Sequence, residues 1–146
     1  MTASVKIGTF RRFPIRQTSM MPNIIEGDRI LAIKLNKPPK RGAVVIFKAN
    51  ESEFWIKRVI GLAGETININ DGKVQINGRD LRDFANDPAY KASFGPVQIP
   101  LAHYFLIGDN RSIIHDSRMI GPVPLEDIHY KALLIYRPIH RIKFLI

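Results

Sequence analysis

The segment Glu65-Thr-Ile-Asn-Ile-Asn70 alternates polar and apolar residues with period two, and Asp71-Gly72 leads directly from it into Lys73-Val-Gln-Ile76. A two-residue Asp-Gly connection supplies the positive φ angles of a type I′ turn, whose twist matches that of paired strands. This stretch therefore commits the chain to a β-hairpin more firmly than any other feature does. Further short, β-branched runs follow the same pattern: Arg29–Leu35, Ala43–Phe47, Phe54–Ile60, Tyr104–Ile107 and Lys131–Tyr136, each bounded by turn residues. Residues 83–100 have weak periodicity and several prolines and glycines, which predicts a loop excursion. Leu125-Glu-Asp-Ile128 predicts one helical turn. The expected architecture is all-β, mainly antiparallel, with irregular loops and little helix. A chain of 146 residues reads as a single domain over 1–146.

Composition narrows the function classes. The chain has no cysteine, which excludes a disulfide scaffold, a zinc-thiolate site and a cysteine nucleophile. Its 22 Lys+Arg against 13 Asp+Glu give a net charge of +9, compatible with nucleic acid or an anionic membrane surface. There is no basic run of the kind that makes a nucleic-acid tail. No stretch is long and apolar enough to read as a transmembrane helix, which predicts a soluble or surface-bound chain. The four histidines show no metal-ligand spacing, so no metal and no cofactor is expected.

Three segments are richer in special residues than a β domain requires. The first is Gln17-Thr-Ser-Met-Met-Pro22, where the proline restricts the residue before it to extended backbone. The second is Trp55-Ile-Lys-Arg-Val-Ile-Gly61, where alternation puts Trp55, Lys57 and Val59 on one face. A lysine in apolar surroundings loses affinity for its proton, and as a neutral amine it can deprotonate a serine. The competing reading is a strand lysine that reaches out to solvent. The third segment is Gly108-Asp-Asn-Arg111, followed by Asp116-Ser-Arg118. It reads either as a functional loop or as a surface ion-pair network of Asp109, Arg111, Asp116 and Arg118. A triad through His115 is disfavoured, because adjacent His115 and Asp116 point to opposite faces of an extended chain.

Taken together, the three segments resemble the type I signal peptidases, the S26 family of serine proteases. Ser19-Met20-Met21-Pro22 resembles the family's serine box and Ile56-Lys57-Arg58-Val59-Ile60-Gly61 its lysine box. Gly108-Asp109-Asn110-Arg111, a gap of four residues, and Asp116-Ser117-Arg118 resemble its C-terminal signature. The resemblance implies a β-rich protease in which Ser19 is the nucleophile and Lys57 the general base. It implies an oxyanion hole formed by the Ser19 N–H and Gln17. Met20, Pro22, Asp109, Asn110, Arg111, Asp116, Ser117 and Arg118 would support the site. Substrates would be exported preproteins with small-x-small cleavage motifs. The protein would work at a membrane surface, on the extracytoplasmic face of the cytoplasmic membrane, with no nucleic-acid partner.

The sequence departs from the family pattern at several positions. Gln17 stands where a serine or glycine is common, and Ile114 where a serine often contacts the lysine; an isoleucine there could only help to desolvate the amine. Ala43 and Ala63 replace a common Asp and Pro. Family members usually carry a transmembrane anchor ahead of the serine box, so the expectation is a removed anchor or a compact relative. Two other readings compete: a non-catalytic assembly factor of the same fold, and a LexA-like self-cleaving regulator.

Overall fold

The computed structural model describes residues 9–82 and 89–145. In these residues the strands are β1 (Phe10–Pro14), β2 (Arg29–Lys34), β3 (Val44–Lys48), β4 (Phe54–Gly61), β5 (Thr66–Asn70), β6 (Lys73–Ile76), β7 (Arg79–Asp80), β8 (Phe94–Gln98), β9 (His103–Ile107), β10 (Val123–Pro124), β11 (Ile128–Arg137) and β12 (Lys143–Phe144). One short helix, α1 (Ser117–Ile120), and 3₁₀ turns at Leu125–Asp127 and Ile139–Arg141 complete the description. The all-β expectation holds, as does the single turn after Pro124. No helix among the described residues is long and apolar enough to cross a membrane.

The strands form two sheets. The larger has eight strands in the order β1-β2-β11-β3-β4-β9-β10, with β12 also paired to β11; the smaller has the order β7-β6-β5-β8. The ladders are antiparallel. The hairpin read from Asp71-Gly72 is β5–β6, with Asn70 opposite Lys73. Asp71 and Gly72 have φ of 49° and 81°, as the type I′ turn demands.

Five strands escape the sequence reading: the two-residue β7, β10 and β12, and the longer β8 and β1. Part of the expected loop at 83–100 is β8, which pairs with β5 at Thr66–Gln98 and Ile67–Val97. Gly95-Pro96 disguises it, yet a proline is tolerated at a sheet edge, where its missing N–H is not needed, and β8 is an edge strand. Residues 83–88 of the expected loop lie outside the described residues. β1 is hidden for another reason. It is an edge strand with a mostly exposed surface, so Arg11 and Arg12 interrupt any apolar pattern.

The uninterrupted run Val44-Val-Ile-Phe47 is explained by burial on both faces. Val44 and Ile46 belong to one core cluster with Met20, Ile24, Ile30 and Ile56. Val45 and Phe47 belong to another with Val59, Leu106 and Val123. A third cluster joins the sheets: Ile67, Ile69, Val74 and Ile76 of the hairpin pack with Ile60, Phe105 and Ile107. The central strand β4 thus contributes to all three clusters, which holds Lys57 in a rigid setting.

Candidate active site

Lys57 sits in the middle of β4, opposite Val45 of β3. Its side chain leaves the strand on the side of Trp55 and Val59, as alternation requires, and its Nζ lies 5.4 Å from the Trp55 ring centroid. The residue is 1% exposed and Ser19 is 4% exposed. Lys57 Nζ and Ser19 Oγ are 2.9 Å apart, and Nζ also donates to the Ile56 carbonyl at 3.1 Å. The reading of a lysine reaching out to solvent is therefore excluded. Burial lowers the affinity of Lys57 for its proton, from an ordinary 10.5 to about 8. The Asp116 carboxylate pulls the other way, and the Arg118 guanidinium adds to the depression.

Ser19 is delivered by a loop tied down at both ends. Ile15 N–H donates to the Asp28 carbonyl and Gly27 N–H to the Ile15 carbonyl, closing the loop at its base. Asp28 is 1% exposed and accepts from Ile25 N–H and from Arg141 at 2.6 and 2.9 Å. Burial pushes its carboxyl up, and these hydrogen bonds and charges outweigh it, so Asp28 stays below the usual carboxylate range. Met20 is buried in the core beside Ile24, which turns the neighbouring Ser19 towards Lys57. Pro22, two residues further on, is exposed and follows a cis peptide bond after Met21.

The third segment grips this loop from the other side. Asn110 N–H donates to the Ser19 carbonyl at 2.9 Å, and its side-chain amide to the Thr18 carbonyl at 3.1 Å. Asp109 accepts two bonds from Arg58, at 2.9 and 2.8 Å, and a third from Asn23 of the serine loop at 2.8 Å. Gly108 N–H donates to Asp116 at 3.0 Å, and Arg111 Nε to the Gly108 carbonyl at 2.9 Å. Ser117 Oγ accepts from Leu106 N–H of β9. Asp116 caps α1 through Arg118 N–H and receives the Arg118 guanidinium at 2.9 and 2.7 Å.

The alternative of a surface ion-pair network fails here. Asp109, Arg111 and Asp116 are 2%, 2% and 0% exposed. They form a buried scaffold under the serine loop. Ile114 is 52% exposed, so it does not desolvate the lysine; Ile113 lines the cleft instead. His115 lies against Trp55, ring centroids 6.4 Å apart, while Asp116 is turned inward.

An open cleft of about 370 Å³ ends on the Ser19–Lys57 pair and is lined also by Arg16, Gln17, Thr18 and Trp55. A second, mainly apolar hollow of about 210 Å³ adjoins it through Arg16, Gln17 and Trp55, and is floored by Phe13, Ile15, Ile46, Phe54 and Ile56. The Ser19 N–H and the Gln17 amide make no hydrogen bond among the described residues. No group of residues suited to a metal is found among the described residues.

Sequence reasoning missed Gly108, Arg58 and Asn23 as parts of this site. Gly108 had a signal, since a glycine inside a polar motif marks close backbone approach. Arg58 had only its place beside Lys57, and Asn23 had none.

Comparison with known proteins places the chain in a family. The sequence model of the family described as "Signal peptidase, peptidase S26" matches residues 1–137. The chain is 34% identical over 142 residues to signal peptidase I of Leptolyngbya laminosa, covering 88% of this chain and 69% of that protein. It is 33% identical over 143 residues to the probable signal peptidase I-2 of a Synechocystis strain, covering 90% of this chain and 65% of that one. A crystal structure of a signal peptidase I from Enterococcus faecalis superposes with a TM-score of 0.53 at 26% identity, covering 63% of this chain and 94% of the other. The buried serine–lysine pair thus stands in a chain that belongs to the signal peptidase family, peptidase S26, the serine endopeptidases of signal-peptide processing.

Proposed function

We propose that Ser19 is the nucleophile and Lys57 the general base of a signal-peptide endopeptidase. The observation that carries this reading is the 2.9 Å contact between Lys57 Nζ and Ser19 Oγ inside the protein. Neutral Lys57 accepts the Ser19 hydroxyl proton as Oγ attacks the scissile carbonyl carbon. The carbonyl oxygen takes up negative charge facing the Ser19 N–H, and the Gln17 amide supplies a second donor from the cleft wall. Lys57 then hands its proton to the departing amine. A water molecule, deprotonated by the same lysine, releases the acyl group from Ser19.

The substrates on this reading are exported preproteins cut after a small-x-small motif. Trp55 and Gln17 crowd the cleft next to Ser19, which favours a small side chain there. The membrane contact is assigned to the C-terminal end. Ile139, Ile142 and Phe144 are exposed and stand beside His140 and Lys143, a combination suited to an anionic lipid surface. The protein then acts at the extracytoplasmic face of the cytoplasmic membrane, with 1–146 as one catalytic unit.

The test is cleavage of a purified preprotein by the wild type, Ser19→Ala and Lys57→Ala. The expected result is a single cut after the signal peptide by the wild type and none by either variant. Equal cleavage by all three would overturn the assignment, and no cleavage by the wild type would favour the assembly-factor reading.

A further inference from the structure

The smaller sheet takes no part in the chemistry described above, yet Tyr90, just ahead of β8, makes a polar contact with the catalytic support. Arg118 has five N–H donors on its side chain. Four go to groups of its own segment: Nε and Nη2 to Asp116, Nη1 to the Arg111 carbonyl, and Nη2 to the Ile113 carbonyl. The fifth goes to the Tyr90 hydroxyl at 2.9 Å. The guanidinium carbon also lies 5.3 Å from the Tyr90 ring centroid. Tyr90 packs against the core of the small sheet and is held there by the β5–β6 turn. Gly72 N–H donates to the Ala92 carbonyl at 2.9 Å, and a Cβ on Gly72 would fall 1.9 Å from the Tyr90 carbonyl oxygen.

We infer that Tyr90 is a positioning residue of the catalytic site: it fixes Arg118, and through it Asp116, at the distance from Lys57 at which the lysine works as a base. The inference rests on Lys57 being that base.

The physical route is electrostatic. Burial is the main cause of the low proton affinity of Lys57, and Asp116 and Arg118 adjust it with opposite sign, so a change in their separation from the lysine moves that affinity. Arg16, Glu53 and His115 line the same cleft, while Arg58 and Asp109 bind each other on the neighbouring side of β4. None of these is bound to Tyr90 among the described residues. Without the Tyr90 hydroxyl, one Arg118 N–H in a nearly closed site has no acceptor. A buried donor left unpaired is costly, so the guanidinium shifts towards water. Asp116 is then less compensated, Lys57 holds its proton more tightly, and the active neutral form appears at higher pH.

The experiment is the pH dependence of kcat/KM on a preprotein substrate for the wild type, Tyr90→Phe and Gln75→Ala. Tyr90→Phe keeps the ring and removes the hydroxyl; Gln75 lies in the same sheet away from Arg118. The expected result is an activity limb moved to higher pH by about half a unit in Tyr90→Phe, with about threefold less activity at neutral pH and recovery under alkaline conditions. Gln75→Ala should leave the limb in place. A uniform loss in Tyr90→Phe with an unmoved limb, or no change at all, overturns the inference alone. A wild type lacking the limb overturns Lys57 as base, so the two failures are distinguishable.

Discussion

Gly108 approaches Ser19 so closely that a Cβ at this position would lie 2.5 Å from the Ser19 carbonyl oxygen and 3.5 Å from its Cβ. The obstacle is backbone, held by Asn110 N–H at 2.9 Å, and cannot swing aside like a side chain. Gly108→Ala should therefore displace the serine from Lys57. We expect kcat to fall at least tenfold, since misplacement of a reacting group by about 1 Å costs on the order of 100-fold, while KM changes less. A variant with wild-type kcat would show that the serine loop tolerates the shift.

The rate should also report the proton on Lys57. Burial brings its pKa down to about 8, and only the neutral amine can accept the Ser19 proton. The value of kcat/KM should thus rise about tenfold per pH unit below that pKa and level off above it. A profile flat from pH ~6 to ~9 would remove Lys57 from the role of base.

The same burial carries a stability cost. A lysine whose pKa drops on folding binds more protons in the unfolded chain between about 8 and 10.5, so wild-type stability rises with pH across that window. Below it the charged form is penalised in full. Lys57→Met should therefore be about 1–2 kcal/mol more stable than the wild type at neutral pH, after allowing for the lost hydrogen bonds. That advantage should shrink as pH rises through the window. Thermal melts of both proteins from neutral to alkaline pH check the sign.

Asp109 answers two partners at once, Arg58 on β4 and Asn23 in the serine loop. The Arg58 and Asp109 side chains are 11% and 0% exposed. Removing one partner of such a pair leaves a poorly hydrated charge behind. Asp109→Ala should cost about 3–5 kcal/mol in urea unfolding. A loss below about 1 kcal/mol would mean that water replaces the carboxylate without difficulty.

Ile114 makes a contrasting case. It is half exposed, although its place in the motif suggests a contact with the lysine. Ile114→Ala should alter stability by no more than about 0.5 kcal/mol and leave the activity limb where it is. A shifted limb in the pH profile would return Ile114 to the neighbourhood of Lys57.

Local pattern alone determined a good part of this molecule. The Asp71-Gly72 hairpin, the buried Val44–Phe47 strand and the common face of Trp55 and Lys57 are consequences of turn chemistry and a period of two. Both are properties of adjacent residues and need no knowledge of the rest of the chain. The types of residue needed for serine–lysine chemistry were also legible, in three separated boxes. Tertiary structure decided what those residues do. Asp109, Arg111 and Asp116 read equally well as solvated charges until the fold buried them. Arg58 found Asp109, and Tyr90 found Arg118, across separations that no local pattern records. Strand β8 exists only because an edge position excuses Pro96. Above all, Ser19 meets Lys57 from 38 residues away. Burial and pairing depend on which distant segments share a core, and that sharing is what lowers the pKa of Lys57 to about 8 and brings its neutral form within reach.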